Sequence, residues 1–332
     1  MHQDRRRFMV GGIATASALG SAAAWHHVTR PVENVFVARN QSYDGDLVRV
    51  IEDGFRACEF DLNQVRDRRV LLKPNLVEPK RTSPHMTTHP AIIQAAAEVF
   101  RSYGAIVTVG EGPGHVRDTE QALLDSGVMD ALVNAELTFE DLNYQAVAEV
   151  KNVGRACQLK SFFFPRAVIE ADFIVSLPKM KTHHWMGVTG AMKNLYGVIP
   201  GCKYGWPKNV LHYNGIPQTV FDINASAGRL LTIIDGIDCM EGDGPILGTK
   251  KHMGLLLVSD NLPAADATMA RLMDVVPERI PYLALAADRL GPISEDRVIQ
   301  RGESWQPLVK SFEILDRDHL RHLRESGSHF VS

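Results

Sequence analysis

The sequence predicts an α/β protein with a mostly parallel sheet, helices on both faces, and a ligand site at the carboxyl edge of the strands. Three observations predict it. Short apolar runs recur along the chain, and most are closed by Pro, Gly or Asn. Segments with helical spacing separate the first runs, which is the βαβα order of a parallel sheet. The residues able to do chemistry fall just after the runs, where open α/β sheets bind ligands.

Arg69-Val-Leu-Leu-Lys73 is a short apolar run ended by Pro74-Asn75, a strand and turn signal. Thr88-His-Pro90 opens a helix, with Thr88 as N-cap and Pro90 in the first turn. Ile93, Ala97 and Phe100 recur at helical spacing and face the sheet, and Gly104 ends the helix. Ile106 to Val109 is the next strand, and Gly110-Glu-Gly-Pro-Gly114 the loop after it. Thr119 to Ser126 reads as a helix capped by Gly127. Phe162-Phe-Phe164 reads as core packing, and Asp172 to Leu177 as a buried strand ending at Pro178. Residues 202–218, rich in Gly, Pro, Asn, Tyr and Trp, read as a long loop over the site. Leu230 to Ile234 and Gly254 to Ser259 are further strands, and Pro263 to Met273 a helix. The chain from about Glu303 is polar and carries little signal.

The N-terminus is a different kind of segment. Asp4-Arg-Arg-Arg-Phe-Met-Val10 precedes an uncharged small-residue run, Gly11 to Ala24. That is the pattern of a twin-arginine export signal, with Ala22-Ala23-Ala24 fitting cleavage before Trp25. The run is too short and too rich in Gly and Ala for a transmembrane helix. The expected organisation is a signal over 1–24, a single α/β domain over 25–302 and a polar tail over 303–332. The expected destination is the periplasm, with the twin-arginine translocase as export partner and no membrane span in the mature protein. An uncleaved anchor is the alternative. Because this route carries folded proteins, often with a cofactor inserted, it favours a cofactor without naming one.

The 332 residues are 45% hydrophobic and 23% charged, an ordinary globular composition. The net charge of −3 becomes more negative once the arginine-rich leader is removed. This argues against nucleic acid or an anionic membrane as the main partner. Cys58, Cys157, Cys202 and Cys239 contain no C-x-x-C pair, so there is no iron–sulfur motif and no zinc ribbon. Three full disulfide pairings, or four separate thiols, remain open.

Residues 183–201, HHWMGVTGAMKNLYGVIPG, hold the densest chemistry. His183 can move a proton or bind a metal, and Lys193 can supply a charge or a nucleophilic amine. Thr189 and Gly190 lie in the same glycine-rich turn as ligand-binding candidates. Lys73 and Asn75 sit at the end of the first strong strand, where lysine can neutralise an anion and asparagine can bind it or close the turn. Gly110 and Gly112 flank Glu111 in a loop able to bring backbone N–H groups to an anion. Glu111 and His115 are acid–base candidates. Pro113 breaks the G-x-G-x-x-G pattern, which excludes a Rossmann dinucleotide site. Asp235 opens an acidic, glycine-rich loop, and with His183 and His184 it forms the candidate metal set.

Several segments together resemble the bacterial and archaeal family called domain of unknown function 362. They are Val70-Leu-Leu-Lys-Pro-Asn-Leu76, Val109-Gly-Glu-Gly112, Ala171 to His183, Gly190-Ala-Met-Lys-Asn-Leu-Tyr-Gly197, Asp235-Gly-Ile237 with Glu241 to Pro245, and Ala264-Ala-Asp266 with Arg271-Leu-Met273. They span about Val70 to Met273. The resemblance implies a fold more than an activity. Many relatives carry a cysteine-rich ferredoxin-like module that this chain lacks. A shorter stretch, from His183 through Gly187, Thr189-Gly190 and Lys193 to Pro200-Gly201, is similar to lactate racemase. That resemblance implies a nickel-containing nucleotide tethered by Lys193, with His183 as acid–base group or metal neighbour. Thr189 stands where that motif has serine, and Pro200-Gly201 comes later than in the motif.

The function expected is a cofactor- or metal-dependent enzyme acting on a small anionic substrate. The alternatives are a non-catalytic periplasmic binding or accessory protein, and a fold that has lost its chemistry.

Overall fold

Strand side chains alternate between faces, and the core of this protein is laid out by that alternation. In β2 (Arg69–Pro74), Val70 and Leu72 join one hydrophobic cluster and Leu71 joins another. In the neighbouring buried strand Phe173–Leu177, Phe173, Val175 and Leu177 join the first cluster and Ile174 the second. The sheet therefore separates two cores. Each fully buried Leu, Ile or Phe contributes about 1.5–3 kcal/mol.

The structure, a computed structural model, describes residues 31–114, 118–324 and 330–331. The twin-arginine segment and His115 lie outside the described residues. After β1 (Glu33–Ala38), α1 (Leu47–Ala57) places Leu47, Ile51 and Phe55 on one buried face. Beyond β2 come α2 (Pro90–Ser102), β3 (Ile106–Glu111), α3 (Thr119–Ser126), α4 (Val128–Asn134) and β4 (Thr138–Asp141). The β5 (Val147–Lys151) and β6 (Ser161–Pro165) strands form an antiparallel pair, followed by α5 (Arg166–Glu170) and β7 (Phe173–Leu177). Next are β8 (Lys179–His183), β9 (Gly187–Thr189), α6 (Ala191–Asn194), α7 (Gly201–Tyr204), α8 (Asn209–Tyr213) and α9 (Ile216–Ser226). Last come β10 (Leu230–Glu241), β11 (Thr249–Ser259), α10 (Leu262–Leu272), α11 (Pro281–Ala286), β12 (Val298–Gly302), β13 (Ile314–Leu315) and β14 (Phe330–Val331).

The main sheet runs β12-β1-β11-β10-β7-β2-β3-β4, with β8 and β9 attached beside β10. From β10 to β4 every pair is parallel, and β11 is antiparallel to both β10 and β1. The fold is thus α/β with a mostly parallel sheet.

Four local expectations change. Thr88 does not cap α2. The cap is His89, whose ring accepts from Ala91 N at 3.2 Å, while the Thr88 hydroxyl accepts from Asn75 N and donates to Leu177 O. Residues 202–218 form the short helices α7 and α8 and the start of α9 rather than one open loop. Asp235 does not open a loop, because β10 continues to Glu241 by pairing with β8 and β11. The polar tail is packed: Phe312, Ile314, Leu320 and Leu323 are buried in the core.

All four cysteines are unpaired thiols, with Cys58 and Cys239 buried and Cys202 exposed. Among the described residues, no helix is long and apolar enough to cross a membrane.

Candidate functional site

Parallel strands share one edge, so their carboxyl ends bring distant residues together. The ends of β2 and β3 deliver Lys73 and Glu111, and β8, which follows β7 directly, delivers Lys181 and His183. The hairpin β8–β9 turns the chain back, and α6 then presents Lys193. These residues, with Asn75, Gly112, His184, Thr189 and Lys208, line a cavity of about 350 Å³.

Its charge is lopsided. Lys73, Lys181, Lys193 and Lys208 face one carboxylate among the described lining residues, Glu111. Lys73 and Glu111 form a fully buried ion pair, and the same ammonium also reaches Pro74 O at 2.5 Å. Lys181 donates to Asn75 Oδ1 at 2.8 Å, Met86 O at 2.8 Å and Pro245 O at 3.3 Å. Lys208 donates to Gly112 O and Tyr196 O, both at 2.8 Å. Lys193 is different. Among the described residues it has no hydrogen-bond or ion-pair partner, and its Nζ stands 5.5 Å from the centre of the Tyr196 ring.

Burial disfavours a charged ammonium. It lowers Lys73 below the ordinary lysine value, with Glu111 opposing the shift. It depresses Lys181 strongly, with Lys193 and Lys179 adding repulsion. Lys208 is brought to about 7 and Lys193 to about 8 by the same cause. An anion entering the cavity would reverse these shifts.

His183 is also held neutral, first by burial and then by repulsion from Lys193. Its Nδ1 accepts the backbone N–H groups of Trp185 at 3.1 Å and Met186 at 3.3 Å. The neutral ring therefore carries its proton on Nε2 and acts as a donor. Thr189 is 3% exposed, and its buried hydroxyl has no hydrogen-bond partner among the described residues. Around the cavity the His184 ring meets Trp185 at 4.7 Å, and Trp185 meets His212 at 5.4 Å.

Of the candidates from sequence, Lys73, Asn75, Glu111, Gly112, His183, His184, Thr189 and Lys193 reach this cavity. Asn75 works as a spacer, accepting from Lys181 and donating to Asn194 Oδ1 at 3.1 Å. The N–H of Gly112 is taken by Gly197 O and by Glu111 Oε1, so it does not reach toward an anion. Gly110 lies against Leu71 and Leu142, and Gly190 against the Asp266 carboxylate, which binds the N–H groups of Ala191 and Met192.

The metal set does not assemble. Asp235 lies on β10, fully buried, paired with Lys179 at 2.6 Å and accepting from the Tyr43 hydroxyl at 3.0 Å and His89 N at 3.0 Å. A metal-bound imidazole usually donates a proton from its other nitrogen, whereas Nδ1 of His183 faces two donors. Among the described residues, no group of three or more His, Cys, Asp or Glu could hold a metal ion.

Sequence reasoning missed Lys181, Lys208, Asn194, Trp185 and His212. Lys181 had a signal. In Lys179-Met-Lys-Thr-His183, period two puts Lys179, Lys181 and His183 on one strand face. Lys208 had none, because long-range folding alone brings it beside Gly112.

Fold and site together define an α/β protein with a lysine-lined cavity at the carboxyl ends of its parallel strands. The chain belongs to the family described as Domain of unknown function (DUF362), whose family model matches residues 70–271. It is similar to a thylakoid-associated protein of Synechocystis sp., with 28% identity over 315 residues, covering 90% of this chain and 95% of that one. Among solved structures it resembles the lactate racemase apoprotein from Thermoanaerobacterium thermosaccharolyticum at TM-score 0.45 and 14% identity. That match covers 74% of this chain and 58% of the racemase, so the chain spans less than two thirds of that structure's length.

Proposed function

We propose that this protein is an exported enzyme acting on a small, multiply anionic substrate held in the lysine-lined cavity. One observation carries the reading: four lysines face a single carboxylate among the described residues lining one cavity. Desolvated ammonium groups repel one another, and a bound phosphate or carboxylate group relieves that repulsion. His183 Nε2–H would hydrogen-bond the substrate where negative charge develops, and the lysines would hold that charge. The Arg5-Arg6-Arg7 motif supports export through the twin-arginine translocase.

The test is thermal denaturation and calorimetry with pyrophosphate and with oxalate, against chloride at matched ionic strength. Specific binding stabilises by about 2.7 kcal/mol at a hundredfold excess over Kd. Lys181→Met should weaken it. No stabilisation beyond the chloride control would overturn the reading.

A further inference from the structure

Three of the cavity lysines are committed to the protein. Lys73 holds Glu111, Lys181 holds Asn75 and two carbonyls, and Lys208 holds two carbonyls. Lys193 is the exception among the described residues. Its amine reaches the cavity over the face of Tyr196 with no acceptor and no carboxylate. A lysine meant only to hold charge gains from a nearby acceptor. A lysine meant to react gains from lacking one, because an apolar wall and neighbouring cations keep its lone pair available. A second observation points the same way: among the described residues the buried Thr189 hydroxyl in the same cavity also has no hydrogen-bond partner, so two polar groups there await a ligand.

We propose that Lys193 is a nucleophile that forms an imine with an aldehyde or ketone carried by the anionic ligand. This rests on the anion-binding reading above. The neutral Nζ attacks the carbonyl carbon, the carbonyl π pair moves to oxygen, and that oxygen takes up the first of the nitrogen's two protons. The carbinolamine nitrogen then gives its second proton to the hydroxyl, which leaves as water while the nitrogen lone pair forms C=N. Amine plus carbonyl gives imine plus water, with no oxidant or reductant consumed. Lys208, which spends two of its three N–H groups on carbonyls, turns the third to the anionic group, and His183 Nε2–H and the Thr189 hydroxyl are the neutral donors available to the carbonyl oxygen. Burial supports the role by holding the Lys193 ammonium down to about 8, which leaves reactive amine near neutral pH.

The test uses the full chain with pyruvate and glyoxylate as probes, sodium borohydride to reduce the imine, and intact-mass and peptide mapping. The expected result is one adduct per chain on the Lys193 peptide, with the mass of the probe less one water plus two hydrogens. Excess oxalate should suppress it. Lys193→Arg, which keeps the charge, and Lys193→Met should each reduce it by about tenfold or more. Neither variant leaves a buried carboxylate behind, so both should fold, as thermal melts will show. Adduct spread over surface lysines, or undiminished in Lys193→Arg, would overturn the proposal. So would oxalate stabilisation without any trapped adduct, which leaves anion binding standing. Absence of both oxalate stabilisation and adduct removes both readings.

Discussion

Gly197 lies so close to Glu111 that a β-carbon there would stand 2.1 Å from Oε1. The same carbon would be 2.3 Å from Lys73 Cε. Gly197→Ala must therefore part the buried ion pair or displace the chain between α6 and α7. Overpacking of this kind costs about 1–3 kcal/mol, and urea unfolding will read it. Pyrophosphate affinity should fall as well. An unchanged midpoint would mean that the pair can step aside.

Glu111 and Lys193 should respond in opposite ways to truncation. Glu111→Ala strands the Lys73 ammonium in the interior, at a cost of about 3–5 kcal/mol. Lys193→Met removes a cation that lies over the Tyr196 ring and has no hydrogen-bond or ion-pair partner among the described residues. Its unfolding midpoint should stay level or rise. Equal losses in both variants would contradict the difference in their surroundings.

Stability and anion affinity should run in opposite directions with pH. In the folded protein Lys208 titrates at about 7 and Lys193 at about 8, below their ordinary 10.5. From the folded values up to 10.5 the unfolded chain binds more protons. Keeping these lysines buried therefore costs the ligand-free protein stability at neutral pH, a cost that shrinks as pH rises from about 7 towards 10.5 and is full below the folded values. Affinity for pyrophosphate should decline over the same interval as ammonium charge disappears. Lys193→Met should flatten part of the stability slope. A parallel rise in both quantities would refute the assignment of these lysines.

Asp235 should matter for folding and not for ligand. Asp235→Ala leaves Lys179 buried without its carboxylate and removes the acceptor for Tyr43 and His89 N. A loss of about 3–5 kcal/mol is expected, with pyrophosphate affinity at its original value. Loss of binding in a well-folded variant would return Asp235 to the site.

Changing Arg5 and Arg6 together to lysine should leave the precursor in the cytoplasm, as followed by fractionation and immunoblotting. Normal periplasmic accumulation would remove the twin-arginine assignment.

The parallel half of the sheet was legible because its signals are local. Arg69 to Lys73, Ile106 to Val109 and Phe173 to Leu177 are apolar runs with turn residues behind them, and Gly127 closes α3 in a left-handed conformation. Lys73 and Glu111 were readable as site residues because they stand at such ends. Asp235 misled because β10 does not stop with its parallel neighbours. Its pairing with β8 and β11 is a long-range event, with a bulge between Gly236 and Asp238, that no local pattern announces. Trp185 and His212 were obscured for a similar reason, since their contact depends on α8 folding back over the hairpin.

The alternation in β8 also bears on how such a site can diverge. Lys179, Lys181 and His183 occupy one face of the strand, while Met180 enters the core and the Thr182 hydroxyl ties the strand to Gly242 O at 2.9 Å. The face toward the cavity is itself graded: Lys179 is spent on Asp235 and Lys181 on Asn75 and two carbonyls, and only His183, at the strand's end, keeps an Nε2–H for a ligand. Anchoring thus runs along the strand and recognition begins where it ends. A lineage could retune what the cavity accepts at position 183 while the four residues before it keep the strand in place.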